Sequence, residues 1–299
     1  MFEQVSIIGC GLIGSSVFRA LKKNGSVKKV ITFDSDKSVS EIIKKENLSD
    51  KIVSNPGEAV SNADLVLIST PLSGFESAVN SIKKHLKSGS ILTDTSSVKK
   101  GSDLIIKKLN LKNISWIPSH PVAGTEKSGP TAGLSDLFKD RWTILTPDSK
   151  VKESNVKKVT LFWESMGSKV KIMSAGDHDK ILSITSHLPH VIAYNIVKTA
   201  MSNDEKTNKD VIRYSAGGLR DFTRIAASNP TMWKDIFIDN SDLIIDGINK
   251  FGKSLDEFKK AIMEKDSKKL LEIFEKSREF REAIIKAGQD TDKPGFGRK

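Results

Sequence analysis

Cysteine is nearly absent from this 299-residue chain. Cys10 is the only one, which excludes an internal disulfide and any multi-cysteine metal site. Long apolar runs are missing too: none reaches the roughly 18 residues of a spanning helix, so no membrane crossing is expected. The residues from Met1 to Val5 carry no basic leader and pass straight into an apolar run, which predicts no signal peptide and cytoplasmic residence. Internal repeats and low-complexity blocks are also lacking. The net charge of +11 comes from 48 Lys+Arg against 37 Asp+Glu, and the basic residues lie in scattered pairs such as Lys22-Lys23, Lys44-Lys45 and Lys83-Lys84, with no aromatics interleaved. Such pairs read as solvated surface and predict no nucleic-acid partner, although a modest positive potential would still draw a polyanionic small molecule.

What the chain does have is alternation. From Val5 to about residue 172, short apolar runs alternate with helical patterns: Val5–Ile8, Val30–Phe33, a weak Lys51–Val53, Leu65–Ile68, Ile91–Asp94, Ser115–Pro118, Trp142–Leu145 and Lys169–Ile172. Continuous apolar strands separated by helices predict a mainly parallel sheet covered on both faces. After Met173 the strand signals stop. Helical spacing then predicts helices over 175–198, 205–214, 219–227, 230–250, 254–264 and 266–287. The fold class read from this is α/β, a Rossmann-type nucleotide-binding domain (1–172) followed by an all-α helical domain (173–290), with 291–299 as a flexible tail.

The first apolar run leads into Gly9-Cys10-Gly11-Leu12-Ile13-Gly14. A G-x-G-x-x-G string is weak alone, but here it follows a strand and opens a helix, the context it requires. Gly9 allows the tight turn, Gly11 lets backbone approach a pyrophosphate, and Gly14 lets helix and sheet pack closely. Leu12 and Ile13 supply the first helical amides, whose partial positive charge favours phosphate. Asp34 ends the second run, where a carboxylate can accept both ribose hydroxyls of NAD and repel the 2′-phosphate of NADP; nearby Lys37 would soften that repulsion. Asp36 reads as a turn residue. Ser69-Thr70-Pro71 closes the fourth strand and is either a cofactor-lining segment or a simple strand stop.

Three further strings carry polar chemistry. Asp94-Thr95-Ser96-Ser97-Val98-Lys99 puts hydroxyls and a lysine at the carboxyl edge of the sheet, to line a ligand or to cap a helix. Ser119-His120-Pro121-Val122-Ala123-Gly124-Thr125-Glu126-Lys127-Ser128-Gly129 sets one histidine in a Gly-rich loop after a strand, as a proton acceptor beside a bound hydride acceptor or as an ordinary loop histidine. Ser186-His187-Leu188-Pro189-His190 lies in the long helical pattern, where Pro189 should bend the helix. No third clustered ligand accompanies this histidine pair, so no metal is expected. Arg220 and Arg224, four apart, share a helical face and suit a planar carboxylate or a surface salt bridge with Asp221.

Taken in order, these strings resemble the prephenate/arogenate (cyclohexadienyl) dehydrogenase family of tyrosine biosynthesis, over residues 5 to about 285. The resemblance implies oxidative decarboxylation of prephenate or arogenate with NAD, NADP being the less favoured cofactor. It also implies His120 as catalytic base, Ser97 orienting it, Arg224 (with Arg220 beside it) gripping a substrate carboxylate, and His187 contacting substrate. A homodimer through the helical domain is implied as well. No mutase region is expected before Met1 and no regulatory domain after the last helix. The competing reading keeps the fold and changes the reaction to that of a hydroxyacid dehydrogenase or an imine reductase.

Overall fold

The computed structural model describes residues 2–202 and 204–289. The expected tail at 291–299 lies outside them. In chain order the elements are β1 (Gln4–Ile8), α1 (Leu12–Asn24), β2 (Lys29–Phe33), α2 (Lys37–Lys45), β3 (Lys51–Ile52), α3 (Pro56–Val60), β4 (Leu65–Ile68), α4 (Leu72–Ile82), β5 (Ile91–Asp94), α5 (Lys99–Leu109), β6 (Ser115–Trp116), β7 (Ser119–Pro121), β8 (Trp142–Leu145), α6 (Glu153–Ser165) and β9 (Lys169–Ile172). Helices follow: α7 (Ala175–Leu182), α8 (Leu188–Ala200), α9 (Glu205–Arg213), α10 (Gly217–Thr223), α11 (Pro230–Asp239), α12 (Ser241–Met263) and α13 (Ser267–Lys286).

Among the described residues, β1 to β6 form one parallel sheet in the order β3-β2-β1-β4-β5-β6. The chain reverses direction across the sheet between β1 and β4, the switch point at which such sheets bind ligands. β1 and β4 are buried along their whole length, as continuous apolar strands with helices on both faces must be. One face packs Val5, Ile7, Leu65 and Leu67 against Val17 and Leu21 of α1; the other packs Ile8, Val66 and Ile68 against Phe75 and Val79 of α4.

The single sheet expected from sequence is in fact two. β7, β8 and β9 form a separate three-stranded sheet, with β7 antiparallel to β8 and β8 parallel to β9. Pro118 explains the break: it has no amide hydrogen to extend the ladder of β6, and its carbonyl instead accepts from Thr146 just past β8 (3.0 Å). His120 therefore sits within a short strand opposite Ile144, rather than in the loop that follows it.

The chain clusters into two compact units, one up to Ile244 and one from Ile245 onward. Helices α7 to α11 thus pack in the same compact unit as the nucleotide-binding sheet. The Asp179 carboxylate of α7 accepts the amides of Lys99 and Lys100 at the start of α5 (2.8 and 2.9 Å), and Asp235 of α11 accepts the amide of Ser73 in α4 (3.0 Å). The single helix expected over 175–198 is interrupted by a π-helical turn at Ser183–His187. Pro189 cannot donate in the α-helical pattern, and a wider turn absorbs the missing bond. The break expected near residue 250 falls instead at Asn240, whose buried side chain is held by hydrogen bonds; α12 runs through Gly252 without interruption. The segment expected as one helix over 219–227 tightens into a 3₁₀ turn at Arg224–Ala227. In the second unit, the Asp266 side chain caps α13 through the Lys269 amide (2.9 Å), and Phe258 meets Phe274 with ring centres 6.1 Å apart.

Candidate active site

A cavity of about 760 Å³ opens at the carboxyl edge of the main sheet, lined by residues from the first unit alone. One wall is the glycine turn. Gly9 adopts a positive φ of 93°, and a side chain there would meet the Ser69 backbone; one on Gly14 would collide with the Gly9 carbonyl. Gly11 is different: nothing lies within 4 Å of where its Cβ would be, and it faces the cavity with Leu12 and Ile13. No side chain caps the α1 N-terminus. This leaves amides and a helix dipole facing open space, the geometry that takes a pyrophosphate. Ser69, Thr70 and Pro71 line the same wall, and the buried Thr70 hydroxyl has no protein partner. The Asp34 carboxylate is fixed by two amides, from Cys10 (2.8 Å) and Asp36 (2.9 Å). Asp36 itself caps α2 through the Ser38 amide (2.8 Å), the turn role its position suggests. The donor set, the orphaned hydroxyl and the open face of Gly11 together fit NAD.

His120, 8% exposed, lines the same cavity. Its Nδ1 is 2.8 Å from Nε2 of His178, and Nδ1 of His178 is 2.7 Å from Asp179 Oδ1. Burial would raise the Asp179 carboxyl, but hydrogen bonds from His178 and from the Lys99 and Lys100 amides outweigh it and hold the group below its ordinary value. As a carboxylate Asp179 can only accept, so His178 donates from Nδ1. A neutral His178 then accepts at Nε2, and His120 donates from Nδ1. The nitrogen left with a free lone pair is Nε2 of His120. Burial first, then the neighbouring His178, Lys99 and His187, hold the His120 imidazolium well below the usual histidine range, so the ring is neutral near pH 7.

His187, in the π turn, is set the opposite way. The Asn240 amide nitrogen donates to the Asp179 carbonyl (3.0 Å) and lies 3.1 Å from His187 Nδ1, which must therefore accept. His187 then carries its hydrogen on Nε2. Burial brings its pKa down to about 4, so it too stays neutral. The cavity thus holds one imidazole as acceptor and another as donor. His190 stacks on Trp233 at 3.5 Å between ring centres, and its Nδ1 meets the Ser186 carbonyl (2.9 Å).

Of the other residues singled out from sequence, Ser97 and Arg224 line the cavity, as do Glu126 and Lys127. The contact at His120 Nδ1 comes from His178, whereas the family resemblance assigns the orienting role to Ser97. Arg220 is exposed on α10 and is not part of the cavity wall. Lys99 turns inward. It is fully buried, with Nζ 2.7 and 2.8 Å from the two Asp94 oxygens and 2.7 Å from the Ser119 carbonyl. Sequence reasoning passed over His178, Asp179 and Asn240. The string Asp177-His178-Asp179 after the helix-capping Ser174 is a visible acid–histidine cluster, but nothing in its spacing names His120, 58 residues away, as its partner.

Known proteins resemble this chain over nearly its whole length. Residues 17–172 match the prephenate dehydrogenase nucleotide-binding domain, and residues 174–276 match the prephenate dehydrogenase dimerization domain. The chain is 38% identical over 286 residues to a cyclohexadienyl dehydrogenase of Zymomonas mobilis, covering 95% of this chain and 97% of that one. It is 30% identical over 293 residues to the prephenate dehydrogenase of Bacillus subtilis, covering 95% and 76%. Among solved structures, the prephenate dehydrogenase of Aquifex aeolicus in complex with hydroxyphenyl propionate and NAD+ superposes with a TM-score of 0.87 at 30% identity, covering 95% and 99%. The chain belongs to the prephenate dehydrogenase family.

Proposed function

We propose that this protein catalyses the NAD-dependent oxidative decarboxylation of prephenate, arogenate or both, yielding 4-hydroxyphenylpyruvate or tyrosine. The observation that carries this reading is the neutral His120, its Nε2 lone pair free, in one cavity with the glycine turn. Bound NAD supplies the hydride acceptor. Nε2 of His120 takes the proton of the substrate's ring hydroxyl as the carbinol carbon becomes a carbonyl. Loss of CO2 leaves its bonding pair in the ring and aromatises it. Arg224 grips a substrate carboxylate, and the Nε2–H of His187 donates to a second substrate oxygen. Ser97 takes a further substrate contact from the cavity wall. The hydroxyacid dehydrogenase and imine reductase readings keep the fold but have no counterpart for the His120 string, and family membership weighs against them.

The amide-fixed Asp34 favours NAD over NADP. A homodimer built by the helical domain is supported by the match to a dimerization domain and by the apolar side chains that α12 and α13 expose, among them Ile262, Met263, Leu271, Phe274 and Phe280. Among the described residues no helix is long and apolar enough to cross a membrane, which fits a cytoplasmic enzyme. The test is direct: purified protein with NAD and either substrate should form NADH, followed by absorbance. Protein that binds NAD yet oxidises neither substrate refutes the proposal. Values of kcat/KM for both substrates with both cofactors rank the preferences. His120→Asn should depress kcat strongly while leaving NAD affinity intact.

A further inference from the structure

We propose that His178 and Asp179 are positioning residues that form a closed proton reservoir behind His120. The hydroxyl proton is passed inward during oxidation and handed back to the product oxygen on aromatisation. The inference rests on the reaction proposed above and on one requirement of its balance. Hydride leaves the carbinol carbon for NAD, CO2 leaves as a neutral molecule, and the pair from the broken C–C bond flows through the ring to the former hydroxyl oxygen. That oxygen ends as a phenol, so it recovers the proton it gave up. The reaction releases no net proton, and the base needs a place to hold one rather than a route to solvent.

The geometry supplies such a place. Substrate O–H breaks as His120 Nε2–H forms; the Nδ1 hydrogen of His120 then passes to Nε2 of His178, the two nitrogens being 2.8 Å apart; the Nδ1–H of His178 stays on its nitrogen and keeps donating to Asp179 Oδ1 at 2.7 Å. The positive charge comes to rest on His178, beside a carboxylate. His178 and Asp179 are both fully buried, so the proton has no exit except back through His120. The surrounding charges bias the charge away from His120. Burial first, then the neighbouring His178, Lys99 from α5 and His187 from the π turn, disfavour an imidazolium there. At His178 burial is again the largest influence and keeps the pKa below its ordinary value, with Lys99 adding to it, but the hydrogen bond to Asp179 from α7 and the carboxylates of Asp179 and of Asp94 at the end of β5 offset part of that opposition. The Lys99 and Lys100 amides lock the Asp179 oxygens in place. The same chain sets the tautomer of His120, as a buried aspartate does for a catalytic histidine elsewhere.

The variant His178→Gln separates the two roles. A Gln oxygen can still accept from Nδ1 of His120 and keep its tautomer, but it cannot take up the proton. The expected result is NAD affinity and KM within about twofold of the parent and kcat lowered about tenfold or more, a smaller loss than the roughly 100-fold or greater one expected of the acid–base group itself. The rate in H2O/D2O mixtures should depend on deuterium fraction along a curve in the parent, reporting more than one proton in flight, and along a straight line in the variant. Imidazole 15N spectra of the resting parent should show His120 and His178 both protonated at Nδ1. A straight line in the parent, an unchanged kcat in the variant, or His120 protonated at Nε2 would overturn the reservoir. If the variant fails to bind NAD, the parent's rate curve and spectra decide alone. A parent that oxidises neither substrate sinks the assigned reaction, and the 15N spectra, which need no substrate, show whether the hydrogen-bond chain fails with it.

Discussion

Replacing Lys99 with methionine should cost more stability than any surface change, for a reason the structure makes quantitative. Lys99 and Asp94 are both fully buried, and Lys99 Nζ makes three hydrogen bonds, two to Asp94 and one to the Ser119 carbonyl. Burial is the largest influence on the Lys99 ammonium and lowers its pKa despite the neighbouring carboxylates. The pair as a whole therefore adds little net stability, since desolvation offsets most of its attraction. Removing one partner is a different matter. Lys99→Met preserves the volume of the stem but leaves the Asp94 carboxylate buried, with only the amides of Ser119 (2.9 Å) and Ser96 (3.3 Å) to satisfy it. Stranding a charge in this way costs about 3–5 kcal/mol. The double variant Lys99→Met/Asp94→Asn, which strands no charge, should recover more than half of the loss. Guanidinium unfolding followed by tryptophan fluorescence measures this cleanly, because Trp116, Trp142, Trp163 and Trp233 all lie in the unit up to Ile244. Because Ser119 adjoins His120, kcat should fall as well. A loss below about 1 kcal/mol for the single variant, or a double variant no more stable than the single one, would refute the reasoning.

Other outcomes follow from the same geometry. Acid should destabilise the first unit. His187 has a folded pKa of about 4 against about 6.5 unfolded, so the unfolded chain binds the proton first. That contribution is whole above the unfolded value and is lost as pH falls toward the folded one, about 2 kcal/mol by pH 5 and about 3 in total. His120, His178 and His190 are shifted in the same direction and add to the loss. Unfolding midpoints equal at pH 7.5 and pH 5 would contradict this. The two glycines of the turn should part company. Gly14→Ala drives a side chain into the Gly9 carbonyl and should cost about 1–3 kcal/mol of stability. Gly11→Ala meets only open space, should leave stability within about 0.5 kcal/mol, and should abolish NAD binding; calorimetric titration showing normal NAD affinity would remove the cradle. Asp34→Asn keeps an acceptor for the Cys10 amide but loses the charge, and should raise the ratio of NADP to NAD kcat/KM about tenfold.

The sequence by itself determined what short-range pattern can encode. Apolar runs of strand length between helical patterns specify a parallel sheet, since each strand must be buried on both faces. The glycines at 9, 11 and 14 specify the cradle, because Gly14 answers to the turn backbone at Gly9, Gly9 to the neighbouring strand end at Ser69, and Gly11 leaves an open face for a ligand. Candidates for the site were legible as well: His120, His187, Ser97 and Arg224 all line one cavity. What tertiary structure alone decided was how they are wired. Whether an imidazole presents a lone pair or a hydrogen depends on what holds its other nitrogen. For His120 that partner is 58 residues away, and for His187 it is 53. The second sheet, the π turn and the inward-facing Lys99 arose in the same way, from competition among distant groups for buried hydrogen bonds. Such competition is settled by packing, which a local pattern cannot record.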